Sequence, residues 1–387
     1  MINIPPELLT NARMHYTYLH EHPELSFAEE QTAAYIRRTL DCLQIQYTNA
    51  GPTGIIGFLP GRDTSRTIAL RADFDALPIS EKEDHPLISR NPGIMHACGH
   101  DGHMAILLGL CQWAAKTPLP FHLVAIFQPG EETTGGALPM IHQGVLENPQ
   151  VDAIFGLHIW PYLEKGKISV SSGPVMAGMV DFDVEFQGKS AHGASRKDGA
   201  DALVAACQFV VRLNTLAQEL EDQGKVLALN IGTLQGGNAR NVVCDHMKLQ
   251  GTLRYFDDAV YEKVKGTMKE LAVGLKESLG VECRMEQVMS YPPVVNDAKL
   301  TELASGLLTQ EERCEFPPQM MSEDFSNYQR QVPGVYAFLG CGDEQGFGPL
   351  HSGTFDFDEE ILQLGLSYYL RIIERFCQQW GGGQIGK

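Results

Sequence analysis

The segment MHACGHDGH, residues 95–103, gathers a cysteine, three histidines and an aspartate around two glycines. Such side chains are costly to bury unless something binds or pairs with them. Cys98 and His100, two residues apart, offer the thiolate and imidazole donors of a transition-metal site. His103, at the start of an apolar run, reads as a supporting or capping residue, and for His96 a structural role is at least as good a reading as a functional one. Glu131 and Glu132 follow the run FHLVAIFQPG. Neighbours in an extended segment point in different directions, so one carboxylate can hold metal while the other serves as a general base. His158 closes the run VDAIFGLH, and His351 lies in GPLHSGT. Cys98, His100, Glu132, His158 and His351 thus form a mixed N, O and S donor set. A structural zinc site is closed, four-coordinate and usually cysteine-rich with close spacing. A set spread this widely along the chain suits two cations about 3.5–4 Å apart that share a bridging group, acidify a water and polarise a carbonyl.

Positioning these residues requires strands that end where the polar groups begin. TIALRADFD, FHLVAIFQPGEE, VDAIFGLH and GVYAFLG read as apolar strands. LLTNARMHYTYLHE, 29–43 and GHMAILLGLCQWAA read as helices between or beside them. Apolar strands alternating with helices predict an α/β fold, a mostly parallel sheet sandwiched by helices. In such sheets ligands bind beyond the C-terminal strand ends. The middle of the chain reads differently. In VDFDVEFQG, Val180, Phe182, Val184 and Phe186 alternate with Asp181, Asp183 and Glu185, which predicts a half-exposed strand. A helix, two strands, an amphipathic helix and a last strand follow. That β-α-β-β-α-β order predicts an inserted ferredoxin-like α+β domain. The expected segments are 1–176 and 293–387 for a catalytic domain and 177–292 for the insert.

A net charge of −18 over 387 residues argues against nucleic-acid or anionic-membrane partners. MINIPPELLT lacks the basic and apolar regions of a signal peptide. No apolar run reaches the roughly 18–20 residues of a membrane span. Nine cysteines without framework spacing point to a reducing cytoplasm. The terminal GGGQIGK reads as a flexible tail.

The blocks MHACGHDGHMA, QPGEE, GLH, GKSAHGA, MSEDFS and PLHSGT, in this order and preceded by HEHPELSFAE, resemble the signature of the amidohydrolase branch of the co-catalytic metallopeptidases. The wider superfamily includes aminoacylases and glutamate carboxypeptidases. The branch includes hippurate hydrolases, N-acyl-L-amino acid amidohydrolases, auxin-conjugate hydrolases and N-acetyl-diaminopimelate deacetylases. The resemblance implies a zinc-peptidase-like catalytic domain with an inserted lid, and a binuclear centre held by Cys98, His100, Glu132, His158 and His351. It implies Glu131 as general base and His192 as a lid histidine that reaches the substrate carbonyl on lid closure or across a dimer. Where the superfamily has a His-x-Asp pair, this chain has Asp73-Phe74-Asp75. Asp73 therefore supplies no imidazole, Cys98 takes its place, and Asp75 orients a ligand histidine. Lys197 or its neighbour stands where the family often has proline.

The expected activity is metal-dependent hydrolysis of an N-acyl amino acid to a carboxylic acid and a free amino acid. Asn241 and Arg254 would bind the substrate carboxylate, since an arginine fork matches it. Glu323 and Asp324 would position the site. A dipeptidase or carboxypeptidase, and a catalytically silent metal-binding homologue, are the rival readings; an intact Glu131 argues against the silent one. A thiolate ligand favours zinc, nickel or cobalt over magnesium or calcium, with manganese open. An exposed strand edge on the lid, and the resemblance, imply a homodimer formed through it.

Overall fold

The computed structural model describes residues 4–63, 65–82, 87–342 and 348–380; the terminal GGGQIGK lies outside them. The chain divides into two compact units. One comprises Met1–Val175, Val295–Pro317 and Asp324–Lys387, the other Met176–Val294 and Pro318–Glu323.

The first unit is built on a seven-stranded sheet. Its order is Gln46–Ala50, Gly54–Leu59, His122–Gln128, Thr67–Asp73, Ala153–Glu164, Gly334–Gly342 and Ile168–Ser169. The four strands from His122–Gln128 to Gly334–Gly342 are mutually parallel, and the outer strands are antiparallel. Thr67–Asp73 and His122–Gln128 are buried along their whole length. This explains why they read as continuous apolar runs rather than alternating ones. Each large apolar side chain withdrawn from water contributes about 1.5–3 kcal/mol. The charged Arg71 and Asp73 inside the same strand therefore need partners. Helices Pro6–Glu21, His100–Ala114 and Ile361–Trp380 pack on one another and on the sheet. His100–Ala114 is buried nearly all round, so its weak amphipathic pattern is that of an interior helix.

One strand differs from the sequence reading. VDAIFGLH does not end at His158; the strand runs on to Glu164 because Gly334–Gly342 pairs with it past that point, Gly340 opposite Trp160. The register still sets His158 at the sheet's working edge. Arg71 pairs with Gly156, so His158 lies level with Asp73, where the neighbouring strand stops.

The second unit is a four-stranded antiparallel sheet with the order Glu282–Tyr291, Gly178–Gln187, His246–Tyr255, Leu227–Gly236. Helices Ala202–Asp222 and Asp258–Leu279 cover one face. The connectivity is β-α-β-β-α-β with spatial order fourth, first, third, second, the ferredoxin-like arrangement that was expected. Val180, Phe182, Val184 and Phe186 are buried against the helices, with Phe209 and Leu213 among their partners. Asp181, Asp183 and Glu185 take the open face. Pro318–Glu323 also joins this unit, inside the stretch from 293 that was expected to be wholly catalytic. Its attachment is through backbone: Ala177 N–H donates to the carbonyls of Gln319 and Met321.

Candidate metal centre

The floor of the site is a buried ionic network that the sequence reading did not identify. Arg71 Nη1 donates to Asp73 Oδ2 at 2.5 Å, Nη2 to Asp324 Oδ1 at 2.8 Å, and Nε to Gln128 Oε1 at 3.0 Å. Asp324 also accepts from Gln128 Nε2 and from the Ala137 backbone N–H at 2.9 Å. It thereby ties the loop after Glu132 to the sheet. Asp73 Oδ1 accepts from His103 Nδ1 at 2.6 Å, while His103 Nε2 accepts the Ile159 N–H at 2.9 Å. Both His103 nitrogens are occupied, so it supports the site and is not a ligand. Burial disfavours the Asp73 carboxylate, but Arg71, His100 and His103 outweigh it and hold its pKa well below the usual range.

Above this floor the donor atoms converge. His100 opens its helix and donates from Nδ1 to the Asp75 carbonyl at 2.9 Å; Asp75 Oδ1 stands 3.3 Å from the same nitrogen. Nε2 therefore points the other way, 3.6 Å from Asp73 Oδ2 and 3.9 Å from Glu132 Oε1. His158 donates from Nδ1 to the Ile159 carbonyl, so its Nε2 lone pair faces Cys98 Sγ at 3.5 Å. His351, in a left-handed conformation and anchored by its N–H to the Ala97 carbonyl, brings Nε2 to 3.2 Å from Glu132 Oε1. The donor atoms fall into overlapping triads within 4.8 Å: Cys98–His100–His158, Cys98–Glu132–His351 and His100–Glu131–Glu132. These three triads share Cys98, His100 and Glu132, and His100 also falls in a triad with Asp73 and His103.

The electrostatics fit a cation. His100 Nε2 and Glu132 Oε1 are buried without a hydrogen-bond partner among the described residues. Burial works against a charged His100, yet Asp73, Asp75 and Glu132 outweigh it and push its pKa up to about 10. Burial and then Glu132 and Glu131 push the Cys98 thiol well above its ordinary value. Burial, then His103, holds His158 well below its own. The carboxylates around His100 and Cys98 thus favour added positive charge, while His158 is held neutral, the form in which an imidazole binds metal; a bound cation is what would make Cys98 a thiolate. Glu131, beside Glu132 in the turn after the strand, is half-buried.

Within the second unit, His192 is exposed and caps a short 3-10 helix, its Nδ1 accepting the Ala194 N–H at 3.1 Å. Its proton thus sits on Nε2, which can donate. Asn241 is its neighbour, since Gly193 N–H donates to the Asn241 carbonyl and His192 pairs with Val242. Arg254 is elsewhere. It is paired with Met179 at the start of strand Gly178–Gln187, with Nη1 on Ser322 Oγ at 2.6 Å. The His192 loop follows the far end, past Gln187 opposite His246. The eight residues from His246 to Arg254 put about 27 Å between the two ends.

Two further features escaped the sequence reading. Ser26 Oγ donates to Asp75 Oδ2 at 2.7 Å. His20 is buried between Asp101 at 2.7 Å and Glu81 at 2.8 Å. The readable signal for Arg71 was a lone basic residue in a buried apolar strand.

A family model for Peptidase family M20/M25/M40 matches residues 69–375. An uncharacterized hydrolase of Staphylococcus saprophyticus is 35% identical over 373 residues, covering 94% of this chain and 97% of that one. A crystal structure from methicillin-resistant Staphylococcus aureus superposes with a TM-score of 0.89 at 33% identity, over 95% and 96% of the two chains. The YXEP protein of Bacillus subtilis, a dinuclear metal-binding peptidase, superposes with a TM-score of 0.81 at 32% identity, over 95% and 98%. The fold, the convergent donor set and these likenesses agree: the chain belongs to Peptidase family M20/M25/M40, in its amidohydrolase branch.

Proposed function

We propose that this hydrolase cleaves the amide bond of N-acyl amino acids, with two divalent cations held by Cys98, His100, Glu132, His158 and His351. The observation that carries the proposal is the pair of buried atoms without a hydrogen-bond partner, His100 Nε2 and Glu132 Oε1, converging with Cys98 Sγ and His158 Nε2. Zinc, manganese, nickel or cobalt bound there would polarise the substrate carbonyl and lower the pKa of a coordinated water. Asp75 fixes the ring of His100, an arrangement that orients a ligand histidine. Glu131 takes the proton of the attacking water and gives it to the departing amine, acting first as base and then as acid. His192 donates from Nε2 to the oxygen that becomes negative. Arg254 and Asn241 hold the substrate carboxylate.

The spacing within the second unit bears on how these groups cooperate. A small substrate cannot span about 27 Å of sheet, so Arg254 and the His192–Asn241 pair of one chain serve different substrate molecules. We place His192 and Asn241 in the partner's site of a homodimer formed through this unit. None of the nine cysteines is in a disulfide, which suits a reducing cytoplasm, and no helix among the described residues is long and apolar enough to cross a membrane.

The test is a metal-stripped preparation resupplied with single cations and offered N-acetyl, N-benzoyl and indole-acetyl amino acids beside dipeptides. Metal-dependent release of free amino acid from the N-acyl compounds is the expected result. Turnover of dipeptides alone would replace the N-acyl reading with the peptidase one.

A further inference from the structure

The block HEHPELSFAE stands outside every role assigned so far, yet its second half reaches two parts of the centre. Residues 24–26 lie alongside 76, with Leu25 bridged to Ala76 and Ala76 N–H donating to the Glu24 carbonyl at 2.8 Å. Ser26 Oγ then donates to Asp75 Oδ2 at 2.7 Å, and the same oxygen accepts the backbone N–H of Glu132 at 2.9 Å. Three residues on, Glu29 is fully buried. Its Oε1 accepts the N–H of Gly130 at 3.0 Å, and its Oε2 accepts the Thr53 hydroxyl at 2.7 Å. Between them Phe27 holds φ at +62°, a region that bulky L-residues rarely occupy. Its ring lies against Gly130, itself at φ +65°, where a Cβ would run into that ring. The strained turn lets Ser26 face Asp75 while Glu29 faces the loop, and strain of this kind persists only where the surroundings over-determine it.

We infer that Ser26 and Glu29, aimed by the left-handed turn at Phe27, are positioning residues that hold the 129–132 loop and Asp75 in the geometry that captures cations. The inference rests on the metal reading above. Ser26 shares Asp75 Oδ2 with the Glu132 backbone, so it sets the carboxylate that orients His100 and the entry of Glu132 at once. Glu29 anchors the residue just before Glu131.

The test measures zinc affinity of the metal-free protein against a chromophoric chelator, with thermal melting of the same samples. Ser26→Ala should weaken zinc binding about 10- to 100-fold with a small change in the metal-free melting temperature, and Ser26→Thr should restore the affinity. Glu29→Ala removes the acceptor of both the Gly130 N–H and the Thr53 hydroxyl, and should weaken affinity by a similar factor. A lowered melting temperature with unchanged zinc affinity in both variants would reduce the segment to a structural role and overturn the inference. Failure of the wild-type protein to bind zinc would instead sink the metal reading, so the two failures are distinguishable.

Discussion

His192 and Arg254 lie at opposite ends of one four-stranded sheet, one beyond Gln187 and the other opposite Met179. Antiparallel pairing over ten residues makes that separation rigid. A mechanism needing both groups at one small substrate therefore needs two chains. His192→Ala should lower turnover about 100- to 1000-fold, the usual effect of removing an oxyanion donor. Arg254→Ala should act mainly on KM. Mixing the two impaired variants under conditions of subunit exchange, assayed below KM, should restore activity, because one mixed site has both groups intact. A mixture as inactive as its parts, with exchange demonstrated, would return His192 to its own chain's site.

Asp324→Ala should destabilise the protein by about 3–5 kcal/mol, the cost of breaking a buried ion pair. Arg71, whose side chain is 1% exposed, loses one of its two carboxylate partners and keeps Asp73. Arg212→Ala breaks an ion pair whose members are 42% and 47% exposed, and should change stability by under about 1 kcal/mol. Urea denaturation of the two variants checks the contrast.

His20 gives a pH-dependent prediction. Burial disfavours its charged form, but Asp101 and Glu81 outweigh it and raise its pKa to about 10, from an unfolded value of about 6.5. A raised pKa contributes stability in full below the unfolded value and loses it as pH rises through the folded one. His20→Gln should therefore destabilise the protein most at pH 6 and progressively less towards pH 10. A penalty independent of pH would show that His20 is held as a neutral ring.

Cation binding must displace the Cys98 proton, which burial, Glu132 and Glu131 hold above the ordinary thiol range. Zinc affinity should accordingly rise with pH across the neutral range. Cys98→Ser should weaken zinc binding and flatten that dependence. An unchanged slope in the variant would remove Cys98 from the ligand set.

Much of this was readable in the chain because the donors sit in short blocks. Cys98 and His100 share a turn, and Glu131 and Glu132 follow a strand whose apolar run announces its own end. The alternation from Val180 to Phe186 likewise revealed a half-exposed sheet in the second unit. What was unreadable depends on pairing between distant segments. Arg71 and Asp324 are 253 positions apart, and nothing local to either shows the bond. The strand through His158 continues because Gly334–Gly342 pairs with it, a long-range effect that overrides the polar break expected at the histidine. Nothing local to Ser26 marks it, since only the left-handed turn at Phe27 directs it inward.

The central claim is that Glu131 moves the proton in a metal-dependent amide hydrolysis. The most direct measurement compares wild type and Glu131→Gln, each stripped and reloaded with zinc, for bound metal and for hydrolysis of N-acyl amino acids. The account predicts that both proteins bind two ions and that the variant is slower by about 100- to 10,000-fold. Equal turnover by the variant with its metal in place would contradict it.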